Sequence, residues 1–378
     1  MSRNQQIAKM IGRKSSGHTQ SDNQNMIING AMQVAQRLTQ GTTYIDSTTS
    51  ELYALDRFNF AGNPTDTMRI SQSTDTPGGG FGYSLLMTSK AATTFTGTQY
   101  AMIGQRVEAK NIAHVGFGTA AAQPLICSFY IKCSVTGSIP FVLLNHDDTQ
   151  IFTANCTINA ANTWEYKTIS IPARTTGTWN GAGSTAVGLK VQWYTGLGPD
   201  HSDGGTSTDG GWNTSYDYAV PGHINVCSTN AATLYITGLQ LQVGTQATAF
   251  QHRTFGEERQ SCQRYYQRYS NFANYAGLAM GSNWSATNGN CPFFLESAMR
   301  TPPGIQYSDL AHFSLGGRFS AGGSGTPTGL HNDGYSGGNN LDLGYVRSGG
   351  GMTVTSIYLL EFVNSTAGIS WLAFNSEL

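Results

Sequence analysis

Six aromatic side chains stand in polar, glycine-rich stretches rather than in apolar runs: Trp179, Trp212, Tyr216, Tyr218, Trp284 and Tyr335. A sugar ring presents apolar C–H faces and hydroxyl edges. A surface that binds one therefore wants exposed aromatic planes flanked by Asn, Asp, Gln and Ser. The same rings serve equally to pin loops onto a core or to fill a subunit interface, and both readings stay open. Asp200, Asp203 and Asp209 sit in a glycine-rich loop whose carbonyls could complete an oxygen cage for calcium, and Asn332, Asp333 and Asp342 do likewise later in the chain. Neither trio has the spacing of an EF-hand, and turns in which Asp and Asn bond their own backbone are the simpler account. Beyond that calcium candidate, no cofactor is expected.

Catalysis finds little support. The stretch GAGST at 181–185 lacks the final Gly of a nucleophile elbow. Neither a phosphate-binding loop nor an H-E-x-x-H motif occurs. Only eight Glu are present, several beside Arg or Lys. A glycan-cleaving pair of carboxylates would need residues such as Asp147 and Asp148 to be assembled by the tertiary fold. His114, His146, His201, His223, His252, His312 and His331 show no ligand spacing and read as turn or surface residues. The expectation is a chain that binds rather than reacts.

The elements that must position these residues are strands. Segments such as LICSFYIKC at 125–133 and GLKVQWY at 188–194 alternate apolar and polar residues, the period of a half-buried sheet. In the first, Leu125, Cys127, Phe129, Ile131 and Cys133 share one face; in the second, Leu189, Val191 and Trp193 do. Cys127 and Cys133 read as reduced core residues. Of 378 residues, 46 are Gly and only 11% are charged, with a formal net charge of −1. The surface must therefore be rich in hydroxyl and amide groups, and nothing in the charge favours a nucleic-acid partner. With no apolar run of about 18 residues and no signal-peptide core, neither membrane insertion nor standard secretion is expected.

Eight or more short strands between turn signals predict a mainly β protein: two antiparallel β-sandwich, jelly-roll-like domains joined by a short helix, with a short N-terminal helical anchor. The boundaries read as 1–25 for the anchor and linker, 26–253 for the first sandwich, 254–267 for the helix and 268–378 for the second sandwich. In the anchor, Ile7, Met10, Ile11 and Arg13 fall on or beside one helical stripe that could dock to a partner; a frayed terminus is the alternative. The helix is announced by Thr254 and Glu257, a capping-box pair, and Cys262, Tyr265, Tyr266 and Tyr269 recur at helical spacing. Just before it, Gly238 breaks the alternation between Leu234/Ile236 and Leu239/Leu241, which suggests a bulge. A long loop spans 195–223, and the glycine-rich stretch at 314–342 reads as another loop.

Several phrases resemble a family of tailed-phage tail-fibre and appendage proteins. They are NMIINGAMQVAQR at 25–37, YALDRF at 53–58, the stretch at 99–132, TINAANTWEYKTISIP at 157–172, GTWN at 177–180 and the junction at 234–267. The resemblance covers roughly residues 25 to 270 and continues more weakly in PFFLESAMRTPPGI. It implies a jelly roll of the carbohydrate-binding-module type, a homotrimer, and a virion location following synthesis in the bacterial cytoplasm. The implied role is a non-enzymatic tail fibre or receptor-binding protein, with a capsid decoration or head-fibre protein as alternative and a glycan depolymerase as a more distant one. Partners would be a tail adaptor, nozzle or other virion protein at the N-terminus and a host-surface glycan. No catalytic residue set transfers.

Overall fold

The computed structural model describes residues 24–38, 44–201, 207–270, 276–316, 325–335, 338–346, 357–363 and 370–378. The expected anchor, with Ile7, Met10, Ile11 and Arg13, lies outside the described residues, as does Asp203. Among the described residues no helix is long and apolar enough to cross a membrane.

The first unit is built from β1 (Tyr44–Asp46), β2 (Leu52–Tyr53), β3 (Phe58–Asn63), β4 (Met68–Ser73), β5 (Ser84–Ser89) and β6 (Tyr100–Glu108). A one-turn helix α1 (Ala109–Ile112) precedes β7 (Leu125–Cys133), β8 (Gly137–Asn145), β9 (Ile151–Ile158) and β10 (Glu165–Ile171). Then come β11 (Val187–Leu197), β12 (Gly211–Asn213) and β13 (Thr233–Val243). They form two sheets, ordered β1-β4-β5-β13-β7-β10 and β12-β9-β8-β11-β6-β3-β2. The crossovers between sheets give the jelly-roll sandwich that the alternating segments call for.

The expected inward faces of β7 and β11 are all buried. Between them the Phe129 ring meets Trp193 edge to face at 5.0 Å, and Phe141 meets it from β8 at 5.3 Å. Each such ring contributes about 2–3 kcal/mol by leaving water, with up to about 1 more for the edge-to-face contact. Gly238 has φ +64 and the β13–β7 register slips between Thr237 and Gln240. The bulge lets Leu234 and Ile236 before it, and Leu239 and Leu241 after it, all face the core.

The segment NMIING is stitched to the same strand. Asn25 Oδ1 accepts from the backbone N–H of Ile27 and of Leu241, and Asn25 Nδ2 donates to Leu239 O. Gly30 is required there, because a Cβ at this position would stand 2.1 Å from Leu239 O.

The linking helix α2 (Phe255–Gln263) carries the predicted capping box: Thr254 Oγ1 accepts from Glu257 N, and Glu257 reaches back to Thr254 N. It ends four residues before the expected 267. Tyr266 instead opens strand β14 (Tyr266–Ser270), paired along its length with β22 (Trp371–Asn375). The predicted helical stripe is thus corrected: only Cys262 is helical, and Tyr266 and Tyr269 are ladder residues. Aromatic side chains suit a pleated surface, and the cross-strand hydrogen bonds of this ladder decide against helix.

The second unit continues with β15 (Ala276–Asn283), β16 (Asn288–Phe294), β17 (Gly304–Tyr307), β18 (Phe313–Gly316), β19 (Gly329–Tyr335), β20 (Asn340–Val346) and β21 (Ile357–Phe362). Its sheets are β14-β22-β17 and β18-β21-β15-β16-β20-β19, packed around Phe293, Phe313, Phe362 and Phe374. The stretch at 314–342 is therefore not one loop. Leu315, Leu330 and Leu341 are buried and draw β18, β19 and the start of β20 into the sheet despite the surrounding glycines.

Buried ion pairs weld the two units. Arg57, fully buried on the jelly roll, pairs with Glu377 after β22, and its guanidinium lies 3.6 Å from the Tyr265 ring centre. Arg37 reaches the same carboxylate at 3.2 Å. Arg264 grips Glu108 with two bonds of 3.0 and 2.8 Å, and Tyr265 Oη donates to Glu108 at 2.7 Å. Burial pushes the Glu108 carboxyl up, but the hydrogen bonds from Arg264, Tyr265 and Lys110 outweigh it and hold the group below its ordinary value. Arg300 bridges the units by donating to Thr185 O, Ser376 O and Glu377 O.

Candidate functional site

The fold brings Trp179 and Trp212 together at one end of the jelly roll. Trp212 lies on the edge strand β12 opposite Phe152. The two indoles cross at 86° with centroids 6.1 Å apart, and both pack on Phe117. Their N–H groups donate to backbone carbonyls, Trp212 to Pro172 and Trp179 to Thr176. Half-buried and with their donors already paired, they cap the core and leave their outer faces to solvent. Beside them Arg174 donates to Gln150 Oε1 at 2.7 Å, its guanidinium 5.6 Å from the Trp212 ring.

The long loop folds back on the outer face of the second sheet. Tyr218 stacks on Tyr194 of β11 at 5.0 Å with the rings nearly parallel, and His201 packs against it at 4.9 Å. Asn213 Nδ2 donates to Ser207 Oγ, and Ser207 Oγ to Asp217 O, which ties the loop to itself. Below it lie Met102, Val142, Leu144 and Ile151, all buried. This apolar outer face escaped the sequence reading. Its signal was FVLL at 141–144, where consecutive apolar residues mean a strand covered on both sides. At the loop tip, Tyr216 is 50% exposed and holds φ +56, a conformation a bulky residue adopts only when its surroundings impose it. Tyr218 is thus an anchor and Tyr216 a presented ring.

Trp284 is the most exposed of the six, at 63%. It sits in the β15–β16 turn, whose backbone closes by Trp284 N–H and Ser285 N–H donating to Asn288 O. Ser285 Oγ accepts from the N–H of Thr287 and of Asn288. The indole therefore stands on a turn fixed by its own hydroxyls and amides. Tyr335 is held differently: its hydroxyl donates to Met299 O and accepts from Met299 N, a pin between β19 and the loop that joins β16 to β17.

The calcium candidates do not converge among the described residues. Asp209 Oδ1 accepts from Asn155 N at 2.8 Å, and Asp200 lies in a short 3-10 turn, Pro199–His201. In the second trio Asp333 pairs with His331 at 2.9 Å, and Asn332 donates to Pro303 O. Among the described residues no three His, Cys, Asp or Glu side chains gather as a metal site. All six cysteines are free and buried, and burial pushes the thiols of Cys156, Cys227 and Cys291 up to about 12.

No protein-family model matches the chain, and no curated protein matches it in sequence. Among solved structures it is similar to the enzymatically active domain of tailspike protein 4 of bacteriophage CBA120. Identity is 11% and the TM-score 0.31, over 58% of this chain and 21% of that one. The chain thus spans about a fifth of that tailspike. A module titled CBM4 is 11% identical with TM-score 0.26, covering 46% of this chain and 89% of its own. TmCBM61, solved with β-1,4-galactotriose, is 8% identical with TM-score 0.27, over 58% of this chain and 99% of its own. At this level of likeness no residue role passes from them to this chain.

Proposed function

We propose that this chain is a non-enzymatic virion appendage protein of a tailed phage, a tail fibre or receptor-binding protein that contacts a host-surface glycan as a homotrimer. The observation that carries the binding part is Trp284: an indole 63% exposed on a turn locked by Ser285, Thr287 and Asn288. A ring carried on a pre-ordered turn among hydroxyls and amides stacks on a sugar face without losing loop entropy on contact. Tyr216 repeats the arrangement on the jelly roll. Weak polar contacts of this kind are multiplied when three copies present them together. The virion role draws on the phrases at 25–37, 99–132 and 234–267 that resemble phage appendage proteins.

The two β units, joined through the buried Arg57–Glu377 pair and the half-buried Arg264–Glu108 pair, suit a static body that transmits position rather than a hinged catalyst. Gold labelling of phage particles with an antibody to this chain tests the location. Gold at the tail supports the reading, gold over the capsid replaces it with a decoration protein, and particles without gold refute it.

A further inference from the structure

The outer face of the second unit's larger sheet carries a groove that none of the six aromatic candidates marks except at its rim. Pro292 and Asp342 face each other in the β16–β20 ladder. On one side of this pair a groove of about 500 Å³ runs over Phe294, Asn340 and Tyr335. On the other, one of about 570 Å³ runs over Met280, Asn290 and Ile357. Both share Pro292 and Asp342, so the two depressions lie side by side as a track across the strands. Its apolar members are held out in solvent: Phe294 is 73% exposed, Met280 58% and Ile357 51%. Single exposed apolar residues need no explanation, but three on adjoining strands around one track mark a binding surface.

The polar members decide what binds. The side chains of Asn290, Asn340 and Asp342 make no hydrogen bond or ion pair among the described residues, so their acceptors and amide donors are available. Alternation of apolar faces with free carboxylate and amide groups matches a ligand that is apolar on its ring faces and rich in hydroxyl donors on its edges. Among the described residues no lysine or arginine lines the track. An acidic glycan would meet Asp342 uncompensated, and a second copy of the chain packed face to face would set one Asp342 against another.

The geometry points to a two-subsite groove for an uncharged oligosaccharide, with Phe294 stacking one residue and Asp342 accepting hydroxyl hydrogen bonds at its centre. This rests on the glycan-binding reading above and gives it a site on the sheet face rather than on the loops.

The test is calorimetric titration of the full chain with neutral hexasaccharides of glucose, galactose, mannose and N-acetylglucosamine, with a hexamer of galacturonate as acidic control. Light scattering runs alongside. Phe294→Ala and Asp342→Ala should each weaken the best neutral ligand about tenfold or more, while Phe294→Tyr keeps it and the galacturonate hexamer stays unbound. Because these side chains are exposed, thermal unfolding of the variants should match the parent. Neutral binding unchanged in both alanine variants overturns the groove while leaving glycan binding standing. Binding to none of the hexasaccharides overturns both. Self-association that Phe294→Ala abolishes overturns the groove in favour of a subunit interface.

Discussion

Replacing Arg57 by Ala tests whether the two β units are one cooperative body. The guanidinium is fully buried, pairs with Glu377 and lies 3.6 Å from the centre of the Tyr265 ring. Removing it strands the Glu377 carboxylate in a nearly dry site, with Arg37 at 3.2 Å its one remaining charged partner among the described residues. Breaking a buried pair in this way costs about 3–5 kcal/mol, chiefly because of the uncompensated charge. For units of this size that corresponds to a fall in Tm of roughly 6–20 °C.

The chain supplies its own reporters: Trp193 sits in the jelly-roll core and Trp371 on β22, beneath Arg268. Urea unfolding followed by fluorescence, beside scanning calorimetry, should show one transition in the parent. In Arg57→Ala the transition should come early, with the second unit released first. Glu377→Gln should lose less, and the double variant should lose less than the sum of the two singles, with a coupling of about 1–3 kcal/mol. Two additive losses below about 1 kcal/mol would refute the welded junction.

Other outcomes follow from single features. Glu165 is pushed up by burial but brought down to about 2 by Lys167 and the N–H groups of Ala160 and Asn159. Its contribution is complete above the ordinary carboxylate value near 4.5 and is lost as pH falls toward about 2. Acid titration of stability should therefore flatten over that window in Glu165→Gln. All six cysteines should resist a thiol reagent in the native protein and react on unfolding, since each is buried; mass spectrometry after alkylation counts them. Gly30→Ala, which sets a Cβ against Leu239 O, should cost about 2–3 kcal/mol by denaturant unfolding. Phe141→Ala should cost about 3–5 kcal/mol through the cavity left beside Trp193.

The jelly roll was legible because its strands obey a period of two: Leu125 to Cys133 and Leu189 to Trp193 announce their own buried faces. Gly238 announced its bulge by breaking that period, and Thr254 with Glu257 announced the helix start. The helix end was not legible. Tyr265, Tyr266 and Tyr269 fit a helical face as well as a strand, and only the pairing with Trp371–Asn375, a hundred residues away, separates the two. For the same reason β19 was hidden among glycines: Leu330 and Leu341 supply the burial, but their partners are distant. The candidate rings were legible as a class and not in their roles. Whether an indole N–H finds Pro172 O or solvent depends on loop geometry that composition does not encode. Phe294 went unmarked because apolar residues at both parities of CPFF look like a buried strand, and only the assembled sheet shows which face stays bare.

The central claim, binding without cleavage, is tested most directly in one sample. The full chain is incubated with purified surface polysaccharides from a panel of bacteria, and bound glycan and new reducing ends are measured over time. The account predicts saturable binding that falls in Trp284→Ala, with reducing ends flat. Reducing ends that rise with time and protein concentration, or polysaccharide that does not bind, would contradict it.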